Sequence, residues 1–542
     1  MKRNPAAGIL RKLILPIITV LVFQLPASAQ NNYWQQEVHY KIDVSLNDLD
    51  HTLKADETID YVNHSPDTLH FIWFHLWPNA YKDNTTALSR QLTKLKDRSG
   101  KLKGIEENGY IDSLHFTVNG QPAIVEAQTE NIDIVKINLN VALLPGQHIT
   151  IATPFFVKIP TYTSRSGYSD RMFMITQWYP KPAVYDRKGW HPFPYLDMGE
   201  FYSEFGSFTV NINVPSSYIV AATGTLLTAD ELLNYKTVGA ENYKLFDRQL
   251  NSKAKARKYI AQDGPSRKVL QFFGKDIHDF AWFADKNFII QYDTILFRSG
   301  KVADVFSFKQ PGGNSEWNSS ISYIKDALKS YSKWVGEYPY PVANALEGPA
   351  NISSGGMEYP MITMITSPGA DKENLDAVIT HEVGHNWFYG VLGTNERDHA
   401  WMDEGIDTYY QFRYEAEKYR SNSLLGNAIP SALKQKSPDE FLRSLYSAFA
   451  QMPMSTPIDT PSANFFSDDD YSFTVYLKAS IWMYLVESFL GRETFDKGMQ
   501  SFYRQWQFRH PYPEDLKNSL QKFSGKDLND IFNLLEKRGS LN

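Results

Sequence analysis

Near residue 290 the hydrophobic rhythm of this chain changes, and no other feature limits its fold as strongly. From Asn31 to about Phe288 apolar residues recur at every second position. Tyr40, Ile42, Val44 and Leu46 alternate with polar neighbours, as do Phe208, Val210, Ile212 and Val214 before Pro215. Successive side chains of a strand point to opposite faces, so the pattern predicts half-buried antiparallel sheet. Asn119-Gly120 follows the alternating Phe116 and Val118 and predicts a two-residue hairpin turn. Beyond about Ile290 the spacing becomes helical. Helices are expected over Trp317–Val335, Leu375–Tyr389, Glu404–Tyr419 and Thr474–Phe489, with Asn374 capping the second. The 542 residues exceed what one core accommodates. The expected architecture is α+β and multidomain: a β-rich N-terminal domain over 30–288 and a helix-rich domain over 289–542. Lysine-rich patches at Lys94–Lys103 and Asn251–Lys258 read as solvated insertions in the first.

The first 29 residues differ from the rest. Lys2, Arg3, Arg11 and Lys12 precede the apolar run Leu13–Leu25, and Ala27-Ser28-Ala29 has the small-x-small form of a signal-peptidase site. The alternative is an uncleaved anchor, but the run falls short of the ~20 residues that span a bilayer. A mature chain starting at Gln30 is expected, exported to the periplasm or beyond, with no stable membrane span. The chain contains no cysteine, which excludes disulfides and a lipidated cysteine; a bacterial envelope protein fits best. A net charge of −6 leaves no basic footprint for nucleic acid, and 14 % aromatic residues favour sheets and deep clefts.

The stretch Ala377–Gly390 reads AVITHEVGHNWFYG. On a helix, His381 and His385 share one face and their imidazoles converge, as metal ligands do. Glu382 cannot join them, because adjacent helical positions point about 100° apart. It stands where a base would. A third ligand separates this reading from a helix that merely carries two histidines. Glu404, in AWMDEGIDTYY, follows His385 after 18 intervening residues, enough for one helix to end and a second to bring its carboxylate alongside. Two histidines and a glutamate, with a fourth position for water, form a common donor set of zinc hydrolases.

H-E-x-x-H followed by this glutamate resembles the gluzincin metallopeptidases. Upstream, SSGGMEYP (353–360) is similar to the G-[AG]-M-E-N signature of the aminopeptidase N family, which includes leukotriene hydrolase. Downstream, DYSFTVYLKAS is similar to that family's Y-x-x-x-x-Y-x-K segment, with Tyr471, Tyr476 and Lys478. ITQWYP (Ile175–Pro180) resembles its substrate-facing glutamine strand. The resemblance implies a saddle-like β-rich domain followed by a thermolysin-like catalytic domain with one zinc per chain, held by His381, His385 and Glu404. It implies Glu382 as general base and Tyr476 as donor to the oxyanion. Glu358 would pair with the substrate's α-ammonium, Gln177 would assist it, and Gly355, Gly356 and Met357 would carry the peptide backbone. Two positions depart from the pattern. Tyr359 stands where the family has asparagine, and only 66 residues follow Tyr476. That leaves no room for a helical C-terminal domain over the cleft, so an open site is expected.

The resulting expectation is a secreted zinc aminopeptidase acting on peptides. An open-cleft oligopeptidase or endopeptidase is the second reading, and a non-catalytic peptide-binding relative the third. Such relatives usually lose a ligand or the base, and every one is present here. The preferred N-terminal residue and the oligomeric state are not legible.

Overall fold

The computed structural model describes residues 33–94, 108–247, 256, 266–349, 355–367 and 369–541. The expected signal sequence and Gln30, most of both lysine-rich patches, and Ser353 and Ser354 lie outside them. Gln35–Asn542 form one compact unit. Among the described residues no helix is long and apolar enough to cross a membrane.

The alternating segments build a nine-stranded sheet. Its centre consists of Arg267–Ile277, Gly206–Pro215, Glu37–Asn47, Thr52–Val62 and His148–Lys158, side by side in that order. Val38, Tyr40, Ile42, Val44 and Leu46 are buried along one face, as are Phe208, Val210, Ile212 and Val214. Lys41 and Asp43 on the opposite face stay exposed. The antiparallel expectation fails at one pair: Glu37–Asn47 runs parallel to Gly206–Pro215, with Val38 opposite Gly206. Period two describes either direction equally, so the alternation alone leaves this choice open. Asn119 and Gly120, at φ 49° and 76°, turn the short hairpin between Thr117–Val118 and Gln121–Pro122. Both positive values are what a type I′ turn requires.

A five-stranded sheet begins at Ile289. Val302–Lys309, Val342–Glu347 and Ile362–Ile365 run parallel in its middle, and Gly356–Tyr359 adds antiparallel at one edge. Helices follow. Ser320–Trp334 continues a 3₁₀ turn at Ser315–Ser319 and buries Ile321, Ile324, Leu328 and Tyr331. Lys372–Gly384 carries the first histidine and starts earlier than expected. Its N-cap is Asp371, whose side chain accepts the Asn374 N–H, so Asn374 lies inside the first turn. It also ends early, at Gly384 with His385 as C-cap, where the sequence suggested Tyr389. Gly390 N–H closes onto the His385 carbonyl at 2.8 Å and Tyr389 takes φ 86°, reversing the chain. Glu404–Lys418 is helical as expected. The last expected helix divides in two: a π-helix over Ser472–Lys478 runs into the α-helix Ala479–Leu490.

Candidate active site

Close packing of two helices sets the centre of the site. A Cβ on Gly384 would lie 2.1 Å from Asp407 Oδ1 and 2.4 Å from Tyr331 Oη, so only glycine lets Lys372–Gly384 settle against Glu404–Lys418. At that separation His381 Nε2 and His385 Nε2 are 3.2 Å apart, and Glu404 Oε2 lies 3.2 Å and 3.3 Å from them. Tetrahedral zinc with bonds of about 2.0–2.1 Å has ligand-to-ligand edges of about 3.3–3.4 Å, and this triangle matches them.

Each outer ring nitrogen faces a carboxylate, and that of His385 is hydrogen-bonded to it. His385 Nδ1 meets Asp403 Oδ1 at 2.6 Å, and His381 Nδ1 meets Asp407 Oδ2 at 3.0 Å. A carboxylate that accepts a hydrogen bond from Nδ1–H, as Asp403 can from His385, leaves the Nε2 lone pair facing inward, as bound metal requires. Both aspartates are fully buried. Burial opposes charge on His381, yet Asp407 and Glu404 raise its pKa to about 10. Neither aspartate was singled out from sequence, although a signal existed: Asp403 precedes Glu404, and Asp407 follows it by one helical turn.

Glu382 shares the cavity and stands apart from the triangle. Its Oε2 has no hydrogen-bond partner. Burial pushes its carboxyl up to about 7 against the pull of His381 and His385. The edge strand Gly356–Tyr359 passes directly over it, so close that a Cβ on Gly356 would lie 2.3 Å from Glu382 Oε1. From the same strand Glu358 enters, buried and with Oε1 unpartnered. Burial raises its pKa well above the usual carboxylate range, and Glu200 and Glu404 add to the rise. Tyr476 Oη donates to Glu404 Oε1 at 2.6 Å. Burial and that carboxylate hold its phenol protonated.

These groups face one cavity of about 520 Å³, lined also by Gly355, Met357 and Tyr471. Tyr471 and Tyr476 both reach it because the π-helix accommodates an extra residue per turn. Gln177 does not line it. Its backbone is left-handed at φ 47°, and its side chain donates to Asp279 Oδ2 at 2.8 Å and accepts from Tyr359 Oη at 3.3 Å. The same Tyr359 that departs from the family signature thus keeps Gln177 away. Glu200 occupies the cavity instead. Carboxylate oxygens of Glu200, Glu358 and Glu404 lie within 4.8 Å of one another. Arg165 pairs with one Glu200 oxygen and leaves Oε2 without a hydrogen-bond partner. Nothing in DMGEFYSEFG distinguishes Glu200 from the acidic residues around it; only the fold does.

Residues 321–534 match the Peptidase family M1 domain. This chain carries an M1 peptidase domain. The matched span contains Glu358, the zinc-type triangle, Glu382 and Tyr476, whereas Gln177 and Glu200 precede it. Over 209 residues, 37 % of this chain, the sequence is 27 % identical to a leukotriene A-4 hydrolase homolog of Botryotinia fuckeliana. Over 251 residues, 44 % of this chain, it is 25 % identical to a probable aminopeptidase 2 of Sulfurisphaera tokodaii. The chain spans 30 % and 31 % of the lengths of these two relatives. The fold likeness reaches beyond the M1 domain. An M1 zinc metallopeptidase of Deinococcus radiodurans bound to a Tyr-Ser-Ala substrate superposes with a TM-score of 0.62 at 13 % identity, covering 94 % of this chain and 95 % of that one. Aminopeptidase A of Legionella pneumophila gives 0.61 at 13 % identity, covering 94 % of this chain and 50 % of its own. The β-rich N-terminal part and helical catalytic part are therefore the two-domain M1 metallopeptidase fold.

Proposed function

We propose that the protein is an exported zinc aminopeptidase of about one zinc per chain, which releases N-terminal residues from peptides. The observation that carries this reading is the acidic pair Glu358 and Glu200, buried beside the His381–His385–Glu404 triangle. Two carboxylates held together out of water are costly unless a cation joins them. Arg165 offsets one Glu200 oxygen; a peptide's α-ammonium supplies the further cation that Glu358 and the other Glu200 oxygen call for, and its position fixes which bond is cut. The edge strand supports the same reading, since a substrate backbone can extend the sheet beside Gly356 and Met357. The leader sequence motivates export, with cleavage before Gln30, and the change near 288/289 marks the proposed domain boundary.

When bound by His381, His385 and Glu404, zinc supplies Lewis acidity, acidifying a water and polarising the scissile carbonyl. The chain does the rest. Glu382 takes a proton from the attacking water and returns it to the leaving amine. Tyr476, which donates to Glu404 in this structure, shifts its proton toward the carbonyl oxygen as that oxygen becomes anionic. Glu358 and Glu200 hold the amine.

Acetylating the substrate removes the ammonium and strands Glu358, whereas Glu200 keeps its ion pair with Arg165. Loss of such a charge-assisted bond costs about 1.5–3 kcal/mol, or roughly 10–150-fold in kcat/KM. Free and N-acetylated forms of one peptide should therefore differ by that factor, and Glu358→Ala should erase most of the difference. Equal, internal cleavage of both forms would overturn the aminopeptidase reading in favour of an endopeptidase. Elemental analysis of the purified protein should give about one zinc, and His385→Ala should lose it. Retention of full metal by that variant would refute the ligand assignment.

A further inference from the structure

Glu358 is carried by the edge strand Gly356–Tyr359, which is paired on one side only, with Ile362–Ile365. A short strand with one neighbour can pivot about that ladder, and the carboxylate it carries moves with it. Adjacent strand residues point to opposite faces, so Tyr359 turns away from the cavity that Glu358 enters. Tyr359 is buried, and its Oη donates to Gln177 Oε1 at 3.3 Å.

Gln177 is itself held firmly. Its Nε2 donates to Asp279 Oδ2 at 2.8 Å. Asp279 Oδ1 accepts from Tyr179 Oη at 2.9 Å and from the Phe280 N–H at 2.7 Å, and it pairs with Lys181 Nζ at 2.7 Å. Asp279 and Lys181 are both fully buried within the β-rich part, where such a satisfied network is rigid. The other end of the hairpin is tied to the histidine helix. Tyr359 lies opposite Ile362 across a two-residue turn, in which Met361 takes φ 65°. The Met361 N–H donates to Asn386 Oδ1 at 2.9 Å, and Asn386 follows His385 directly and donates to the Val383 carbonyl at 3.0 Å. One short hairpin is thus gripped from both parts of the chain, by Gln177 at its strand and by Asn386 at its turn.

We propose that Tyr359 is a positioning residue: through Gln177 and Asp279 it fastens the edge strand to the β-rich part and so fixes the Glu358 carboxylate beside the metal triangle. A side chain as short as the signature's asparagine does not span that distance from the strand, so the restraint belongs to the tyrosine of this chain. Its kinetic consequence rests on the aminopeptidase reading, whereas the restraint on the strand does not.

Tyr359→Phe removes one hydroxyl and keeps the ring near Phe283, 6.0 Å between centroids. Gln177→Met keeps the length and loses both bonds. In the full chain, hydrogen exchange of the Gly356–Tyr359 amides, followed by mass spectrometry, should run about 3–10-fold faster in either variant, with the strand Glu37–Asn47 at its parent rate. For free-amine peptides kcat/KM should fall by a similar factor through KM, and acetylated peptides should be cleaved as by the parent. Zinc affinity, from chelator competition, should be unchanged. Parent exchange rates at Gly356–Tyr359 in Tyr359→Phe would overturn the proposal. So would a uniform rise over the whole chain, or an equal loss for free and acetylated peptides, which is what a merely structural hydroxyl predicts. If Gln177→Met does not fold, Tyr359→Phe alone decides, because it lacks the same bond. If the unsubstituted protein does not favour free amines, the aminopeptidase reading fails while the exchange rates still judge Tyr359.

Discussion

Replacing Glu382 with glutamine is expected to stop hydrolysis while leaving zinc in place. Glu382 lies outside the triangle of His381, His385 and Glu404, so metal content should match the unsubstituted protein. Its Oε2 is buried in the cavity without a partner, placed to take a proton that glutamine cannot accept. Proton transfer by a positioned group contributes about 10²–10⁴-fold, equivalent to roughly 2.7–5.5 kcal/mol of barrier. The loss should appear in kcat for free and acetylated peptides alike. Zinc analysis and single-turnover kinetics on one preparation check it. Turnover within about tenfold of the parent would remove Glu382 from the chemistry.

Tyr476→Phe is expected to lower kcat by about 10²–10³ with little change in KM, because its hydrogen bond to substrate matters mainly once charge has developed. The metal should stay, since Tyr476 bonds Glu404 through Oε1 while Oε2 faces the two imidazoles. A rise in KM at constant kcat would instead make Tyr476 a binding residue. Unchanged kinetics would make it a structural partner of Glu404.

The parts of this site that were legible in sequence are those dictated by short-range geometry. His381 and His385 are four residues apart, and a helix alone brings their rings together. Tyr40 to Leu46 alternate, and a strand alone puts them on one face. The parallel pairing of Glu37–Asn47 with Gly206–Pro215 joins segments more than 150 residues apart, and neither carries a mark of its partner. Glu200 is a similar case. It reaches the cavity through Arg165 and the backbone contact to Glu396, both of which exist only after the chain has folded. Gln177 shows the reverse. Its surroundings resembled a substrate strand, but a left-handed backbone and the Asp279 carboxylate turned it elsewhere. The helix end at Gly384 escaped notice because the apolar pattern continues through Trp387 and Phe388, which are buried in the loop that follows.

The π-helix Ser472–Lys478 makes the spacing of Tyr471 and Tyr476 a counting device. In ordinary α geometry, at about 100° per residue, positions five apart diverge by about 140° and could not serve one cavity. The wider turn absorbs the surplus residue. Ser472 and Phe473 are exposed at the rim of the cavity, and what matters here is their number rather than their side chains. Deleting either would let the segment relax to the commoner helix and swing Tyr476 away from Glu404 while leaving His381, His385, Glu404, Glu382 and Glu358 unaltered in sequence. Alignments that close a one-residue gap here would erase the very offset by which the two phenols meet.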